Sequence, residues 1–424
     1  MTIHDLHTKL ITGVGLVLLL VVSGCAQQPT DETAEDGPDT ESSVVADDDA
    51  SGIAGTRAEG ISDTEVIFGT HTDLTGPIAL YGVESVNGIN MRFDEINAEG
   101  GVHGRTLRLI AEDTQYQVPD SLRAANKLIN RDQIFAMLMA LGTPNNNAVM
   151  PLQFEAGIPN LFPLTGSIQM GEPFHPLKWT ARGIYYYEMR TAIKHFVGTV
   201  GLERPCIVYI DNDYGQEIYD GAAHQAEEMG VEIVATSSHR STESEFTATV
   251  LKLREANCDL VILGTVVRDT ILLFETVRKM AWEGVTFVGN NAAAGQPVAS
   301  IDSGSSEGYY AFSHMSQVYP EIETNEKRLG WYNRFTELYG AAPDVPAMEA
   351  YRNADLIGLV LERVGRDLTR AKFLDGLESL YEYTDPFGYT LTFGPKDHRG
   401  VDSSVLVQVQ DKRWVQQDLV VSYD

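Results

Sequence analysis

The stretch Phe135-Ala-Met-Leu-Met-Ala-Leu-Gly-Thr-Pro-Asn-Asn-Asn147 decides the fold. Its first part, Phe135 to Leu141, is apolar without a break and reads as a strand buried on both faces, as in a parallel sheet. The run ends at Gly142 in Thr, Pro and three Asn, and apolar positions then recur at Val149, Leu152 and Ala156, as on a helix. Strand, small polar turn and helix make the carboxyl end of a strand in a doubly wound sheet, where such folds place their ligands. Hydroxyls and amides beside the free N–H groups of a helix start can hold a small anion or carboxylate without a formal positive charge. An ordinary βα turn has the same pattern, so the surrounding chain has to decide.

Working outward, Glu65-Val-Ile-Phe-Gly-Thr-His-Thr-Asp-Leu-Thr-Gly-Pro77 opens with a short strand and ends in a polar, Gly/Pro-punctuated loop. Val83, Val86, Ile89, Phe93 and Ile96 form a helical stripe that stops at Gly100-Gly101. Arg105 to Glu112 is a strand, Ser121 to Asn130 a helix, and Ile158 to Ser167 a fourth strand with its turn. The helix after the opening stretch is expected from Asn146. After Arg182 the pattern restarts with a helix from Tyr185 to Val200 and strands at Cys206–Ile210, Val231–Thr236, Asp259–Leu263 and Val285–Val288. Alternating strands and helices imply parallel, right-handed sheets covered on both sides. Two such units predict two lobes, with Tyr310–Ser313 a crossover strand, helices near 322–339, 347–364 and 369–380, and strands from Tyr389 onward.

The 424 residues carry 60 Asp and Glu against 31 Lys and Arg, a formal charge of −29. Phosphate backbones would be repelled, which argues against nucleic acid as a partner. Residues 26–61 hold ten acids against the single Arg57, contain no aromatic residue and show no period, so they read as a disordered tether. Ahead of them, Lys9 precedes an apolar run from Ile11 to Val22, too short for a comfortable membrane span and suited to a signal-peptide core. It ends in Val22-Ser-Gly-Cys25, which resembles a bacterial lipobox, the small-residue motif before a cysteine that becomes lipidated. An uncleaved anchor is the alternative. Residues 1–24 are then a signal peptide and 25–61 a lipidated cysteine and leash, implying work outside the cytoplasm at a membrane surface.

The Leu74-Thr-Gly-Pro77 loop, the segment Glu95-Ile-Asn-Ala-Glu-Gly-Gly-Val-His-Gly-Arg105, Leu141-Gly-Thr-Pro144, Gly157-Ile-Pro159 and Asp213-Tyr-Gly215 occur in order. Together they resemble the leucine/isoleucine/valine-binding family, the type I periplasmic binding proteins of ABC importers, over residues 62–415. The resemblance implies two doubly wound lobes joined by three crossover segments, one from 62–184 with 313–388 and the other from 185–312 with 389–424. It implies a monomer that binds a small molecule, delivers it to ABC permease subunits, and needs neither cofactor nor metal. Position by position it implies ligand contacts from Tyr81, Gly142, Thr143, Thr165 and Gly166 in the first lobe, and from Tyr214, Thr265, Val266 and Asn291 in the second. Amino-acid binders of this family usually carry an acid near Asn291 to meet the α-ammonium, and here the turn is Asn290-Asn291-Ala-Ala-Ala294. Either Asp73, Asp213 or Asp269 substitutes, or the ligand lacks an ammonium and is a carboxylate or amide.

No Gly-x-Ser-x-Gly elbow, phosphate-cradling loop or His-Glu-x-x-His occurs, so catalysis is not expected. His71 reads as a polar loop residue. A ligand-sensing module of the same fold is the alternative function. Cys206 and Cys258 each start a strand, and in the order 2-1-3-4-5 those strands are neighbours. A disulfide and two thiols facing opposite sides of the sheet both remain open.

Overall fold

The computed structural model describes residues 60–423; Cys25, the apolar segment before it and the tether to residue 59 lie outside the described residues. The first half runs β1 (Glu65–Thr72), α1 (Ala79–Ala98), β2 (Thr106–Asp113), α2 (Val118–Asn130), β3 (Ala136–Leu138), α3 (Thr143–Glu155), β4 (Asn160–Leu161) and β5 (Lys178–Trp179). Then come α4 (Tyr185–Gly198), β6 (Pro205–Ile210), α5 (Asp213–Glu228), β7 (Ala235–His239), α6 (Thr247–Glu255), β8 (Leu260–Gly264), α7 (Val267–Lys279), β9 (Thr286–Gly289), α8 (Gln296–Ala299) and β10 (Tyr310–Ser313). The remainder is α9 (Glu326–Tyr339), α10 (Val345–Val364), α11 (Arg370–Glu378), β11 (Tyr383–Thr384), β12 (Thr390–Leu391), β13 (Ser403–Gln410) and β14 (Arg413–Ser422).

Two large sheets organise these elements. The first is parallel throughout, in the order β2-β1-β3-β4-β5. The second runs β7-β6-β8-β9-β10-β13-β14, with its first five strands parallel and its last two antiparallel. Read from β2 or from β7, both share the doubly wound order 2-1-3-4-5. Each therefore has a switch point, at β1/β3 and at β6/β8, where loops diverge and a cleft opens at the carboxyl ends. The chain passes between lobes after β5, after β10 and before β13. The first and third passages lie side by side: Thr180 donates to the His398 carbonyl at 3.0 Å, and Gly400 donates to Thr180 at 2.8 Å.

The central strands are apolar because helices cover both faces, and the packing follows. Phe68 on β1 meets Phe93 of α1 at 5.5 Å between ring centroids and Phe135 at 5.7 Å, and Phe135 meets Phe373 of α11 at 5.3 Å. Such tilted and edge-on aromatic pairs contribute beyond their buried area.

Several expectations shift in detail. The opening apolar run gives only three residues of regular strand, because Met139 turns to φ 53. Its ladder bonding nonetheless continues, with Met139 donating to Leu161 at 2.9 Å and Leu141 to His71 at 3.0 Å. Helix α3 starts at Thr143, three residues earlier than read, since Gly142 (φ 93) completes the turn alone and Pro144 fits the first helical turn. A Cβ at Gly142 would stand 2.5 Å from the Tyr116 ring. The strand expected at Val231–Thr236 is instead Ala235–His239, an edge strand whose Thr and Ser side chains carry no apolar signal. His71 is not a loop residue: it lies in β1, one residue before its end and fully buried, and burial pushes its pKa down to about 4. The start of the segment 389–424 lies against the first lobe, because β12 pairs with β11 and Phe393 sits 5.5 Å from Trp179. The second sheet resumes at β13.

At the end of the second sheet remote from the cleft, Cys206 and Cys258 are joined by a disulfide with Cα atoms 5.9 Å apart. In the chain-entropy account, closing a loop of 52 residues stabilises by about 4 kcal/mol. Cys206→Ser/Cys258→Ser should therefore lower the unfolding free energy of the second lobe by that order and move its denaturant midpoint down. Wild type under strong reductant should match it, and an unchanged midpoint would mean the tether constrains little.

Candidate functional site

Loops from the carboxyl ends of both sheets converge on one pocket. The first lobe supplies Ile78 and Tyr81 beside β1, Leu141, Gly142 and Thr143 after β3, and Leu164 and Thr165 after β4. Tyr116 comes from the turn after β2, and Arg182 and Tyr185 from the first passage between lobes. The second lobe adds Tyr214 at the start of α5, Val266 after β8 and Ala292 after β9. The centre has about 30 Å³ of free volume.

Thr143 and Thr165 face each other, their hydroxyls 2.7 Å apart and buried. Helix α3 begins here without a side-chain cap, so its first N–H groups and dipole are aimed at the same place. Around this polar floor stand four tyrosines. Tyr81 donates to the Ala292 carbonyl at 3.2 Å, and Tyr214 to the Thr265 carbonyl at 2.9 Å. Tyr185 packs edge-on to Tyr214 with ring centroids 5.3 Å apart. Burial holds the Tyr81 and Tyr214 phenols well above their usual range, so both are neutral donors.

Arg182 is the one charged side chain lining the pocket. Its Nε donates to Asn291 Oδ1 at 2.7 Å and its Nη1 forms a buried ion pair with Glu349, which also accepts from His314 Nε2 at 2.7 Å. Burial alone would lower the arginine's pKa and raise the carboxyl's, but the pairing outweighs both. Arg182 is driven upward, and Arg182 with His314 holds Glu349 at about 2.

Six of the residues implied by resemblance meet in the pocket: Tyr81, Gly142, Thr143, Thr165, Tyr214 and Val266. The other three stand behind its wall. Gly166 is there for close packing, since a Cβ would run into the Gly183 carbonyl and the Tyr185 ring. Thr265 bonds Thr270 at 2.6 Å through its hydroxyl. Asn291 is held by Arg182 and donates through Nδ2 to Gly183 at 3.0 Å and to Glu188 at 2.9 Å. None of the three substitute acids lines the pocket. Asp73 caps Gly76 and Ile78, Asp213 accepts from Asn147, and Asp269 pairs with His239 and Arg268. Sequence reasoning passed over Arg182, although a lone arginine just past the buried Trp179 marks a strand end of the same kind as Thr143. For Tyr116 no signal exists, because its placement rests on a turn with φ 59.

The family model described as periplasmic binding protein matches residues 65–413. The chain belongs to this family. Within it the chain is a type I periplasmic binding protein of the leucine/isoleucine/valine-binding group. A Leu/Ile/Val-binding protein of Citrobacter freundii is 23% identical over 235 residues, 55% of this chain and 64% of that protein. The chain thus spans less than two thirds of the length of the curated relatives it matches. Among solved structures, the leucine binding protein LivK of Thermotoga maritima covers 84% of this chain and 99% of its own, with a TM-score of 0.72 at 16% identity. A fatty acid ABC transporter substrate-binding protein from Thermomonospora curvata covers 87% and 95%, with a TM-score of 0.76 at 18% identity. These likenesses concern the fold. Among the described residues of this periplasmic binding protein, no helix is long and apolar enough to cross a membrane, and no cluster of His, Cys, Asp and Glu could hold a metal ion.

Because Glu349 titrates at about 2 in the fold against an ordinary 4.5, its stabilisation is complete above about pH 4.5 and is lost as pH falls towards 2. Denaturant midpoints followed through that window should drop in wild type, and Glu349→Gln should lose its share of that drop. The variant should also lose about 3–5 kcal/mol at neutral pH, because Arg182 is left buried and uncompensated. An unaltered wild-type-like acid profile in the variant would remove Glu349 from this role.

Proposed function

We propose that the protein is the extracytoplasmic solute-binding component of an ABC importer. It captures a small polar ligand, an amino acid of branched-chain type or a related carboxylate or amide, between two lobes that close on it. The observation that carries this reading is the single pocket of hydroxyls, phenols and helix N–H groups built from strand ends of both lobes. Every polar atom of a buried ligand needs a partner, and such a lining supplies many without a reactive group. Hydrogen bonds across the cleft support closure as the working motion. Asn147 donates to Asp213 at 2.7 Å and Ile168 to Glu217 at 2.8 Å, beside the Tyr81–Ala292 contact. The related proteins named for leucine and fatty-acid binding agree with a ligand of this size and polarity. The lobes are 62–184 with 313–388, and 185–312 with the chain's end except the stretch beside β12.

Native mass spectrometry of freshly purified protein should weigh a co-purified ligand, and calorimetry should then measure it. Thr143→Ala leaves a ligand oxygen unpaired and should weaken binding by about 1–3 kcal/mol. Because Thr143 also bonds Thr165, the free protein should lose at most about 1 kcal/mol of stability. Unchanged affinity would remove this turn from the site.

A lipid on Cys25 completes the reading, tethering the body to the membrane through the acidic leash so that it stays near its permease. Cys25→Ser should release the protein into the soluble fraction. Full retention in membranes would favour an uncleaved anchor.

A further inference from the structure

Beside the polar pocket lies a second compartment of about 210 Å³, and the two share a wall of four residues, Ile78, Tyr81, Val266 and Ala292. Pro77, Leu80, Val267 and Ile271 make the rest of its lining apolar. Its one charged member, Arg268, is already paired with Asp269 and donates to the Ser241 carbonyl at 2.6 Å. The outer compartment therefore offers a ligand apolar contact and no unmet charge.

The inner pocket has the opposite character. With about 30 Å³ free at its centre against about 210 Å³ in the outer compartment, it holds the smaller share of the free space. Its charge chemistry is one-sided: Arg182 is the one charged side chain facing it, paired with Glu349 only on the side away from the pocket, and no carboxylate lines it. Glu188, the acid behind Asn291, accepts from Asn291 N at 3.1 Å, Asn291 Nδ2 at 2.9 Å and Ser404 at 2.6 Å. Asp344 accepts from the backbone of Gln296 at 2.7 Å and of Val345 at 2.8 Å. An α-ammonium buried here would have no anionic partner, and a buried unpaired charge is strongly disfavoured. A carboxylate would meet the Thr143 and Thr165 hydroxyls, the start of α3 and the Arg182 guanidinium, whose Nη2 makes a long bond of 3.5 Å to the Asn291 carbonyl.

We propose that the ligand is an apolar-tailed monocarboxylate without an α-ammonium group. Its carboxylate lies at Thr143, Thr165 and Arg182, and its tail reaches the outer compartment through the shared wall, where the Tyr81–Ala292 hydrogen bond has to open to admit it. This rests on the reading of the pocket as a solute-binding site and names the class of solute.

The test compares L-leucine with 4-methylpentanoate, the same carbon skeleton without the ammonium, by calorimetry on the purified full-length protein. The des-amino acid should bind at least tenfold tighter. Along straight-chain acids from butanoate to octanoate, affinity should climb by about fourfold per methylene as the tail fills the outer compartment. Leu80→Trp, a change at a half-exposed position that narrows this compartment, should remove the climb. Leucine binding as tightly as 4-methylpentanoate, or tighter, overturns the proposal and leaves the solute-binding reading standing. So does an affinity that is flat with chain length. If folded protein responds to neither leucine nor any acid of the series, the proposal and the reading of the pocket fall together.

Discussion

The ion pair between Arg182 and Glu349 is the point on which the two-lobed arrangement turns. Arg182 sits in the first passage between lobes, His314 in the second, and Glu349 on α10 of the first lobe. Asn291, which accepts from Arg182, belongs to the second lobe and is tied in turn to Glu188 on α4. One buried guanidinium thus fixes two crossings, one helix and the far lobe's loop relative to each other. Charges this deep are costly to desolvate, and the network is tolerable because the donors and acceptors around it are largely matched. A hydrophobic substitute of the same volume could contribute comparable stability, but it would not fix the relative angle of the parts with directional bonds.

The same network shapes the pocket. By neutralising Arg182 from behind, Glu349 lets the pocket keep a guanidinium in its wall without an unpaired charge in a dry space. Hydroxyls and phenols do the remaining polar work, and they can exchange partners: Thr143 and Thr165 satisfy each other at 2.7 Å and could each turn to a ligand oxygen. A neutral lining of that kind holds a ligand reversibly, because each contact released is replaced by one within the protein.

Much of this was legible in the chain. Strand, turn and helix at Phe135–Asn147 carried the fold because a parallel strand covered on both sides must be apolar at every position. Thr143, Thr165 and Tyr214, which the family resemblance implied, stand together because a doubly wound sheet brings such turns to one end. The errors have a common cause. β7 was misplaced because an edge strand needs no apolar face, and the stretch around β12 was grouped with the second lobe because a two-residue strand carries no period that shows its partner. Asn291 was assigned to the ligand, whereas it hydrogen-bonds Arg182 and Glu188, a pairing made across more than a hundred residues that no local pattern encodes.

The strand order leaves four open edges, β2 and β5 on one sheet and β7 and β14 on the other. An open edge is a row of unpaired amides and carbonyls that invites another copy to add a strand. Each edge here is blunted differently. β2 alternates with Arg108, which pairs with Glu65; β5 stops after two residues; β7 is serine and threonine with little apolar surface; and β14 carries Arg413 and Asp418 on its rim. With the surplus of negative charge over the whole chain, these edges discourage self-templated fibril growth. A protein with this chain can therefore be held at high local density without its sheets joining.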